Sequence, residues 1–326
     1  MSPAPWDHAP PTIRRARLRT PDGPQDVAVV APLTDAHVHL GLAPLPSGGS
    51  ATLARVLDLG GNPSDLDALG RRAEDAGGRT EIRWAGAFLT APGGYPSTRG
   101  WAPEGSVREV LTPAKAAAAA EAQIDGGAAV IKVVLNSDAG PVPDADTLDA
   151  VVASAGSRGV RVVAHAEGRG QSARALEAGV DVLAHTPWTE RLDDELVAAM
   201  AERMVWISTL DMHRRDDDQH AWDRAADNLH RFLLRGGRVL YGTDMGNGLD
   251  APELHAPEAE ALIGIGRGAG ASPEHLLAAF TGSPLLPARA TTVSVLPAGV
   301  EDAADALAAL PESRPVPLSA LEEPLR

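Results

Sequence analysis

The sequence predicts an α/β protein built as a (β/α)8 TIM-like barrel. Short apolar runs, most of them four to seven residues long, alternate with stretches of helical pattern along the 326 residues. Most of these runs are apolar at successive positions, which is typical of parallel strands covered on both faces. Eight such runs follow one another, as a barrel of eight βα units requires. The pattern alone also allows a doubly wound open sheet.

The predicted strands follow in order at 33–39, 56–59, 82–89, 129–135, 160–165, 180–185, 204–209 and 238–243. Helix signals lie between several of them. Thr112 and Ser272 each precede a proline, the pattern of an N-cap followed by the first helical residue. Ser64 can cap a helix that reaches about residue 76, and Gly179 is placed to end a helix before the sixth strand.

The longest connection is predicted at about 90–111, and it is rich in glycine and proline and contains Tyr95 and Trp101. A loop of this length is more often functional than a simple connector. The tail is rich in proline and alanine, and we expect a helix at 302–310 but no compact domain. The expected regions are an N-terminal segment 1–32, a barrel 33–284 and a C-terminal tail 285–326.

The composition excludes several function classes. The net charge of −15 argues against a protein that follows nucleic-acid phosphates. The chain has no cysteine, which excludes disulfides, thiolate metal sites, iron–sulfur clusters and cysteine nucleophiles. No run of about 18 apolar residues is present, and the first eight residues lack a signal-peptide pattern. We therefore expect a cytoplasmic protein that acts on a small molecule, without nucleic-acid or membrane partners.

Six polar side chains fall at the C-terminal ends of predicted strands, where barrel enzymes place their active sites. His37 and His39 point the same way, because side chains two apart share one face of a strand. Such a pair can hold a divalent ion at about 2.0–2.1 Å. Nitrogen and carboxylate ligands favour Zn²⁺ over Mg²⁺ or Ca²⁺, and Mn²⁺, Co²⁺ and Fe²⁺ stay open as alternatives. The other four strand-end residues are Lys132, His165, His185 and Asp244.

Five short motifs occur in a fixed order: Asp35-Ala36-His37-Val38-His39, Ile131-Lys132, Ala164-His165-Ala166-Glu167-Gly168, Ala184-His185 and Gly242-Thr243-Asp244. As a set, over about 33–290, the chain resembles the amidohydrolase superfamily, in particular its imidazolonepropionase and Xaa-Pro dipeptidase-like branch. The resemblance implies a binuclear metal centre. It implies one ion on His37, His39 and Asp244, a second ion on His165 and His185, and a bridge formed by hydroxide and by Lys132 carboxylated with CO₂.

The resemblance also implies hydrolysis of an amide-type C–N bond. Metal-bound water ionises near pH 7, and Asp244 would take its proton and pass it to the leaving nitrogen. Burial in an apolar strand favours the neutral amine of Lys132, which can then become a carbamate. The alternative is that Lys132 pairs with Asp244 or another acid. Three other electrophiles are equal alternatives to the amide carbonyl: a lactone carbonyl, an amidine-like ring carbon and a phosphorus atom.

The loops after the strands supply candidates for substrate recognition, and packing within the loops is an equal alternative for each. They are Trp188, Asn136, Thr209, His213, Asn247 and Tyr95, with Asp211, Met212 and Trp101 as further candidates. We expect Glu167 to begin a helix, where an acid suits the positive dipole end; in deaminase-like relatives an acid near this strand protonates the substrate ring. The remaining histidines are expected to be solvated or packed: His8, His220, His230, His255 and His275.

The sequence departs from the superfamily at both ends. Its members carry a small β-sandwich made by a longer N-terminal segment and the C-terminus. Here only about thirty residues precede the first predicted strand, and the tail lacks the usual run rich in Gly, Ala and Asp. We therefore expect the sandwich to be reduced or absent, which leaves open whether the chain forms a homo-oligomer through it.

Two other functions stay open from the sequence. One is a one-metal deaminase or imidazolone-type ring hydrolase that uses His37, His39, Asp244 and a further histidine, and that does not need a carbamate on Lys132. The other is a catalytically silent barrel that serves as a binding protein. The complete ligand set argues against the second.

Overall fold

The computed structural model describes residues 11–46, 49–75, 79–249, 251–282, 285–286 and 291–322. The first eight residues, which include His8, lie outside this part of the chain. The expected boundary at 284 lies outside it too. The described strands are β1 (Arg14–Leu18), β2 (Gln25–Val30), β3 (Thr34–Val38), β4 (Arg55–Asp58), β5 (Glu81–Trp84), β6 (Phe88–Thr90), β7 (Val107–Glu109), β8 (Val130–Asn136), β9 (Arg161–Glu167), β10 (Val182–Leu183), β11 (Val205–Ile207), β12 (Arg238–Leu240), β13 (Thr292–Pro297) and β14 (Arg314–Pro317).

The described α-helices are α1 (Pro63–Asp75), α2 (Pro113–Asp125), α3 (Ala145–Ser157), α4 (Gln171–Glu177), α5 (Asp194–Arg203), α6 (Asp211–Arg215), α7 (Gln219–Leu234), α8 (Ala256–Gly268), α9 (Pro273–Thr281) and α10 (Ala303–Ala308). Thr112 and Ser272 cap α2 and α9 as predicted, and Gly179 follows α4 with φ +77°. Ser64 does not precede α1 but lies inside it, and its backbone N–H donates to Asn62 Oδ1 at 3.0 Å. None of the helices in the described ranges combines the length and the apolar composition needed to cross a bilayer.

The strands between β3 and β12 are parallel, as predicted. One sheet has the order β12-β11-β10-β9-β8-β6-β7, and a second has the order β3-β4-β5. Backbone hydrogen bonds join the two sheets at both sides. Ala36 N donates to Tyr241 O at 2.9 Å, and Ala129 N donates to Trp84 O at 2.8 Å. The chain is therefore a mixed α/β protein with a parallel sheet, as the alternation of apolar runs indicated.

The prediction of a single strand at 82–89 is wrong, because Gly86 separates β5 from β6. Its φ is +80°, and a Cβ at this position would lie 2.2 Å from Gln123 Oε1. β5 pairs with β4, whereas β6 pairs with β7 and β8. The predicted loop at 90–111 is also shorter than expected, since β7 lies within it.

A small antiparallel sheet joins the two ends of the described chain, in the order β1-β2-β13-β14. The expectation was a sandwich that is reduced or absent, and a single four-stranded sheet corresponds to the reduced form. Arginines alternate with apolar residues in β1, and this period of two buries Ala16 and Leu18. These side chains pack with those of β2 and β13, including Val29 and Val295.

The two faces of the parallel strands bury different clusters. Ile131, Val133 and Leu135 of β8 belong to the large cluster that the helices cover. On the other face Val130 packs with Val163 of β9 and with residues of β10, β11 and β12. Because side chains alternate, the residues of β8 and β9 that follow on this second face reach the carboxyl ends of the strands, where the polar residues lie.

Candidate metal centre

The first two histidines are held where the first and last parallel strands meet. His37 lies in β3 and His39 follows it. Asp244 N donates to His37 O at 2.9 Å, and His39 N donates to Met245 O at 2.8 Å. Asp35 strengthens this junction, since its carboxylate accepts His37 N at 3.0 Å and Thr243 Oγ1 at 2.6 Å. The motifs at 35–39 and 242–244 therefore form one structural unit.

Three atoms that can bind a metal ion form a nearly equilateral triangle at this junction. His37 Nε2 and His39 Nε2 are 3.3 Å apart, and they lie 3.2 and 3.4 Å from Asp244 Oδ1. Ligands at about 2.0–2.1 Å from a tetrahedral Zn²⁺ are separated by about 3.3–3.4 Å. The triangle therefore has the size of one face of a tetrahedral metal site.

The other ring nitrogens fix the tautomers of the two imidazoles. His37 Nδ1 lies 2.9 Å from Ala184 O, and His39 Nδ1 lies 3.1 Å from Gly60 O. A carbonyl oxygen only accepts hydrogen bonds, so both Nδ1 atoms carry the proton. Each Nε2 faces Asp244 and becomes a metal ligand when it carries no proton.

A third imidazole completes the cluster. The ligand atoms of His37, His185 and Asp244 all lie within 4.8 Å of one another, and all three residues are buried. His185 Nδ1 lies 2.8 Å from Thr209 Oγ1. The ring of His165 follows at 5.0 Å from that of His185. Four of the predicted ligands thus converge, and His165 adjoins them.

The electrostatics of the cluster suit a cation. Burial lowers the pKa of His37 and of His185 well below the usual range, so both imidazoles are neutral at pH 7. Burial favours the neutral acid of Asp244, but His37 and His39 outweigh it and hold its pKa well below the usual value. Burial also lowers the pKa of His39, but interactions that include its hydrogen bond with Asp244 outweigh burial, and the pKa is raised overall. Neutral nitrogens beside a carboxylate are a typical donor set for Zn²⁺.

Lys132 lies inside β8 and not at its end. The strand continues to Asn136 in register with β9, which places Lys132 opposite Val163. The predicted strand-end position is therefore wrong by four residues. The side chain shares the face of Val163 and, two residues on, of His165. It is only 1% exposed, and burial lowers its pKa to about 7, against the charges of Asp244 and Asp58.

Glu167 is the residue whose predicted position changes most. It ends β9, and α4 begins only at Gln171, so the expectation that Glu167 begins a helix is wrong. It lies two residues after His165, on the same face of the strand. Its Oε2 lies 2.9 Å from His165 Nε2 and accepts a hydrogen bond from Asn136 Nδ2 at 2.6 Å. Glu167 therefore belongs to the site.

The predicted recognition residues surround the cluster. The Tyr95 ring stacks on His165 at 5.5 Å, and Trp188 lies 5.3 Å from both His185 and His213. Burial lowers the pKa of His213 to about 4, so this imidazole is neutral. Three other candidates contact members of the site. Asn136 contacts Glu167, and Thr209 contacts His185. Asn247 donates a hydrogen bond to Asp244 Oδ2 at 3.3 Å, and Met212 is buried.

Asp211 lies away from this set in its contacts, because its carboxylate pairs with His255 at 2.8 Å. The sequence analysis did not single out Asp58, which ends β4. Its carboxylate accepts hydrogen bonds from Leu40 N at 2.6 Å and from Gly60 N at 2.9 Å. It thereby fixes the residue after His39 and the glycine whose carbonyl oxygen contacts the His39 ring. The one sequence signal was an acid inside the apolar run 56–59.

Comparison with known proteins finds no matching family model and no matching curated protein. Solved structures do match. A Xaa-Pro dipeptidase with bound methionine has a TM-score of 0.63 at 16% identity, over 92% of this chain and 97% of that chain. An ochratoxinase from A. niger has a TM-score of 0.65 at 17% identity, over 98% of this chain and 95% of that chain. An amidohydrolase has a TM-score of 0.60 at 19% identity, over 87% of this chain and 83% of that chain. The chain therefore shares its fold with these solved structures.

Proposed function

We propose that this protein is a metal-dependent hydrolase that cleaves an amide-type C–N bond in a small amide, a dipeptide-like molecule or a cyclic amide. The observation that carries the proposal is the triangle of His37, His39 and Asp244, with sides of 3.2–3.4 Å. Two structures that share the fold are named as a Xaa-Pro dipeptidase and an amidohydrolase, which supports the same reaction class.

The proposal places the site at the carboxyl-end face of a TIM-like barrel. Its eight strands would be β3, β4, β5, β8, β9, β10, β11 and β12. The hydrogen bonds from Ala36 to Tyr241 and from Ala129 to Trp84 support this ring, because they connect the two sheets on either side. Barrel enzymes build their sites on this face from the loops after several strands.

The donor set fits two divalent ions, and Zn²⁺ suits its chemistry best. His37, His39 and Asp244 would hold the first ion, and His185 and His165 the second. Lys132 would bridge them as a carbamate. Its buried amine, with a pKa near 7, is partly neutral at physiological pH, and a neutral amine is the form that reacts with CO₂.

When bound, the ions would supply a hydroxide at neutral pH and would polarise the substrate carbonyl. Asp244 directs Oδ1 at the two histidines, which leaves Oδ2, beside Asn247 Nδ2, for proton transfer. This oxygen would accept a proton as the C–O bond forms and would return it to the nitrogen as the C–N bond breaks. His213 is neutral and can orient the substrate by a hydrogen bond.

Metal content and activity together test the proposal. Protein purified without chelators should contain about two divalent ions per chain and should hydrolyse members of an amide panel, with activity lost on chelation and restored by Zn²⁺. Lys132→Ala should lose the second ion and most of the activity. Lys115→Ala, on the surface of α2, is the control. Unchanged metal content and activity in Lys132→Ala would contradict the bridging role, and full activity without metal would contradict the proposal.

The position of Glu167 favours a second candidate, a one-metal deaminase or ring hydrolase. An acid at the end of β9, within the site, could protonate a substrate ring nitrogen. This candidate predicts about one ion per chain, ammonia release from amino-heterocycles and loss of that activity in Glu167→Gln. Ammonia release by Glu167→Gln at the wild-type rate, or none by the wild type from any amino-heterocycle, would contradict it.

A further inference from the structure

Aromatic residues are scarce in this chain, and four of them lie at the candidate site. They make up 3% of the sequence, which has three Phe, six Trp and two Tyr. Four of these eleven residues contact one another or the proposed ligands, and we call them the aromatic belt: Phe88, Tyr95, Trp101 and Trp188. Five other aromatic residues belong to the large core cluster that the helices cover, whereas the cluster on the inner face of the parallel strands holds none. These five are Trp84, Trp206, Phe232, Tyr241 and Phe280.

The first part of the belt runs from His39 to His165. The Phe88 ring lies 5.6 Å from that of His39 and 6.4 Å from that of Trp101. Trp101 lies 5.9 Å from Tyr95, and Tyr95 stacks on His165 at 5.5 Å. All these separations are in the range of interacting ring pairs or close to it. The belt thus begins and ends on proposed metal ligands.

Trp188 continues the belt on the other side. Its ring centre lies 5.9 Å from that of His165 and 5.3 Å from those of His185 and His213. A molecule that places its carbonyl beside the ligand triangle would therefore have its nearest substituents among these rings.

Trp101 is the exposed member of the aromatic belt. It is 41% exposed, and it is the one aromatic residue among the exposed large apolar side chains in the described ranges. It lies in the connection between β6 and β7. Exposed apolar surface beside a site often marks the place where a ligand binds.

A cationic ligand is disfavoured at the same place. The Arg99 guanidinium lies 5.6 Å from the centre of the Tyr95 ring, so a positive charge already occupies this part of the rim. A second cation would be repelled by it, whereas a neutral ring would not.

We infer that the substrate carries a neutral aromatic ring one or two bonds from the scissile amide, and that the aromatic belt selects it. This inference rests on the proposed hydrolase function and names its substrate class. Ring pairs contribute about two- to tenfold each beyond their buried area. The belt should therefore distinguish a planar ring from an aliphatic ring of equal carbon number.

Matched substrates separate ring recognition from hydrophobicity. N-benzyl amides are compared with N-cyclohexylmethyl amides, and phenylacetyl amides with cyclohexylacetyl amides, so that both sides of the bond are probed with similar leaving groups. The cyclohexyl group is the more hydrophobic. On at least one side, the Zn²⁺-loaded wild type should show kcat/KM at least about tenfold higher for the aromatic member.

Variants assign the preference to the belt. Trp101→Leu should reduce the ratio of the two kcat/KM values about three- to tenfold, while Trp101→Phe keeps most of it. Trp222→Leu is the matched control, because Trp222 lies on α7 outside the belt. Melting temperatures verify that each variant is folded. Equal rates for both members of each pair, or an equal loss for both in Trp101→Leu, would overturn the inference while the hydrolase proposal stands.

Binding distinguishes the two failures if no amide is hydrolysed. Phenylacetohydroxamate and cyclohexylacetohydroxamate chelate metal through the same group, so the ratio of their Kd values on the Zn²⁺-loaded protein reports the ring alone. If the phenyl compound has the lower Kd and Trp101→Leu removes this difference, ring selection is supported. Only the proposed hydrolysis reaction would then be wrong. Equal Kd values would overturn the inference directly.

Discussion

The hydroxyl oxygen of Thr209 lies 2.8 Å from Nδ1 of His185, although Thr209 has a φ of +41°. This backbone conformation is unfavourable for a β-branched residue. Thr209 N donates to Gly242 O at 3.1 Å, which holds the conformation in place. Asp244 also has a positive φ, of +53°. Strain of this kind persists where function requires a particular side-chain position.

Replacement of Thr209 by valine should weaken metal binding. The change keeps the shape of the side chain but removes the hydroxyl that orients His185, and loss of such a partner typically costs 10- to 100-fold in affinity. Competition with a chromogenic Zn²⁺ chelator measures the Kd. Thr281→Val, which removes a buried hydroxyl bonded to Leu277 O in α9, is the control. An unchanged Kd in Thr209→Val would show that the hydroxyl does not orient the ligand.

Asp35→Ala should destabilise the junction of β3 with the segment after β12. The carboxylate accepts hydrogen bonds from His37 N, Thr243 N and Thr243 Oγ1, and all of these donors are buried. Leaving buried donors without acceptors costs about 1–3 kcal/mol each. We expect the free energy of unfolding to fall by at least about 2 kcal/mol in guanidinium titrations. Asp26→Ala, in the exposed part of β2, should change it by less than about 0.5 kcal/mol.

The buried Glu258 should make stability depend on pH. Burial raises its pKa to about 7 from 4.5, against its hydrogen bonds from Ser208 and the Asp211 backbone, and the Asp211 charge raises it further. The folded state therefore holds a proton that the unfolded state releases between pH 4.5 and 7. Stability from this group is fully present below pH 4.5 and decreases as pH rises to about 7. The full effect is about 3 kcal/mol at most.

Glu258→Gln removes this titration. The difference in free energy of unfolding between the variant and the wild type should shift in favour of the variant as pH rises from 5 to 8, and should stay constant above that. Guanidinium unfolding at four pH values measures it. A constant difference over the whole range would show that Glu258 titrates normally in the folded protein.

Two glycine substitutions should have opposite signs. Gly86 has a φ of +80°, and a Cβ there would lie 2.2 Å from Gln123 Oε1. Gly86→Ala should therefore cost at least about 1–2 kcal/mol of stability. Gly70 lies in the interior of α1 with no atom within 4 Å of an added Cβ. Gly70→Ala should stabilise by up to about 1 kcal/mol. Thermal unfolding of both variants measures the pair.

Local pattern was sufficient to predict most of the parallel strands, because each strand is apolar on both faces. It was also sufficient to bring His37, His39, His185 and Asp244 to one end of the sheet. It could not place the end of β9, because Glu167 is held there by Asn136 from the neighbouring strand. Nor could it show the break at Gly86, which depends on a contact with Gln123 of α2.

The terminal sheet escaped prediction for a related reason. β2 finds its partner in β13, and their register joins Val29 to Val295, more than 260 positions away. The short alternation of arginine with apolar residues in β1 and the short apolar run of β2 do not identify a distant partner. Pairing over such a distance is decided by the whole fold and not by the local sequence.

The junction between Asp35 and Thr243 joins residues that are 208 positions apart. During synthesis His37 and His39 leave the ribosome early, whereas Asp244 follows only after all the intervening strands have been made. A nascent chain that ends before Asp244 lacks one corner of the ligand triangle, however well its first strands have paired. Tight metal capture would therefore mark the completion of the parallel strands, and an incomplete chain would not compete with the finished protein for the ion.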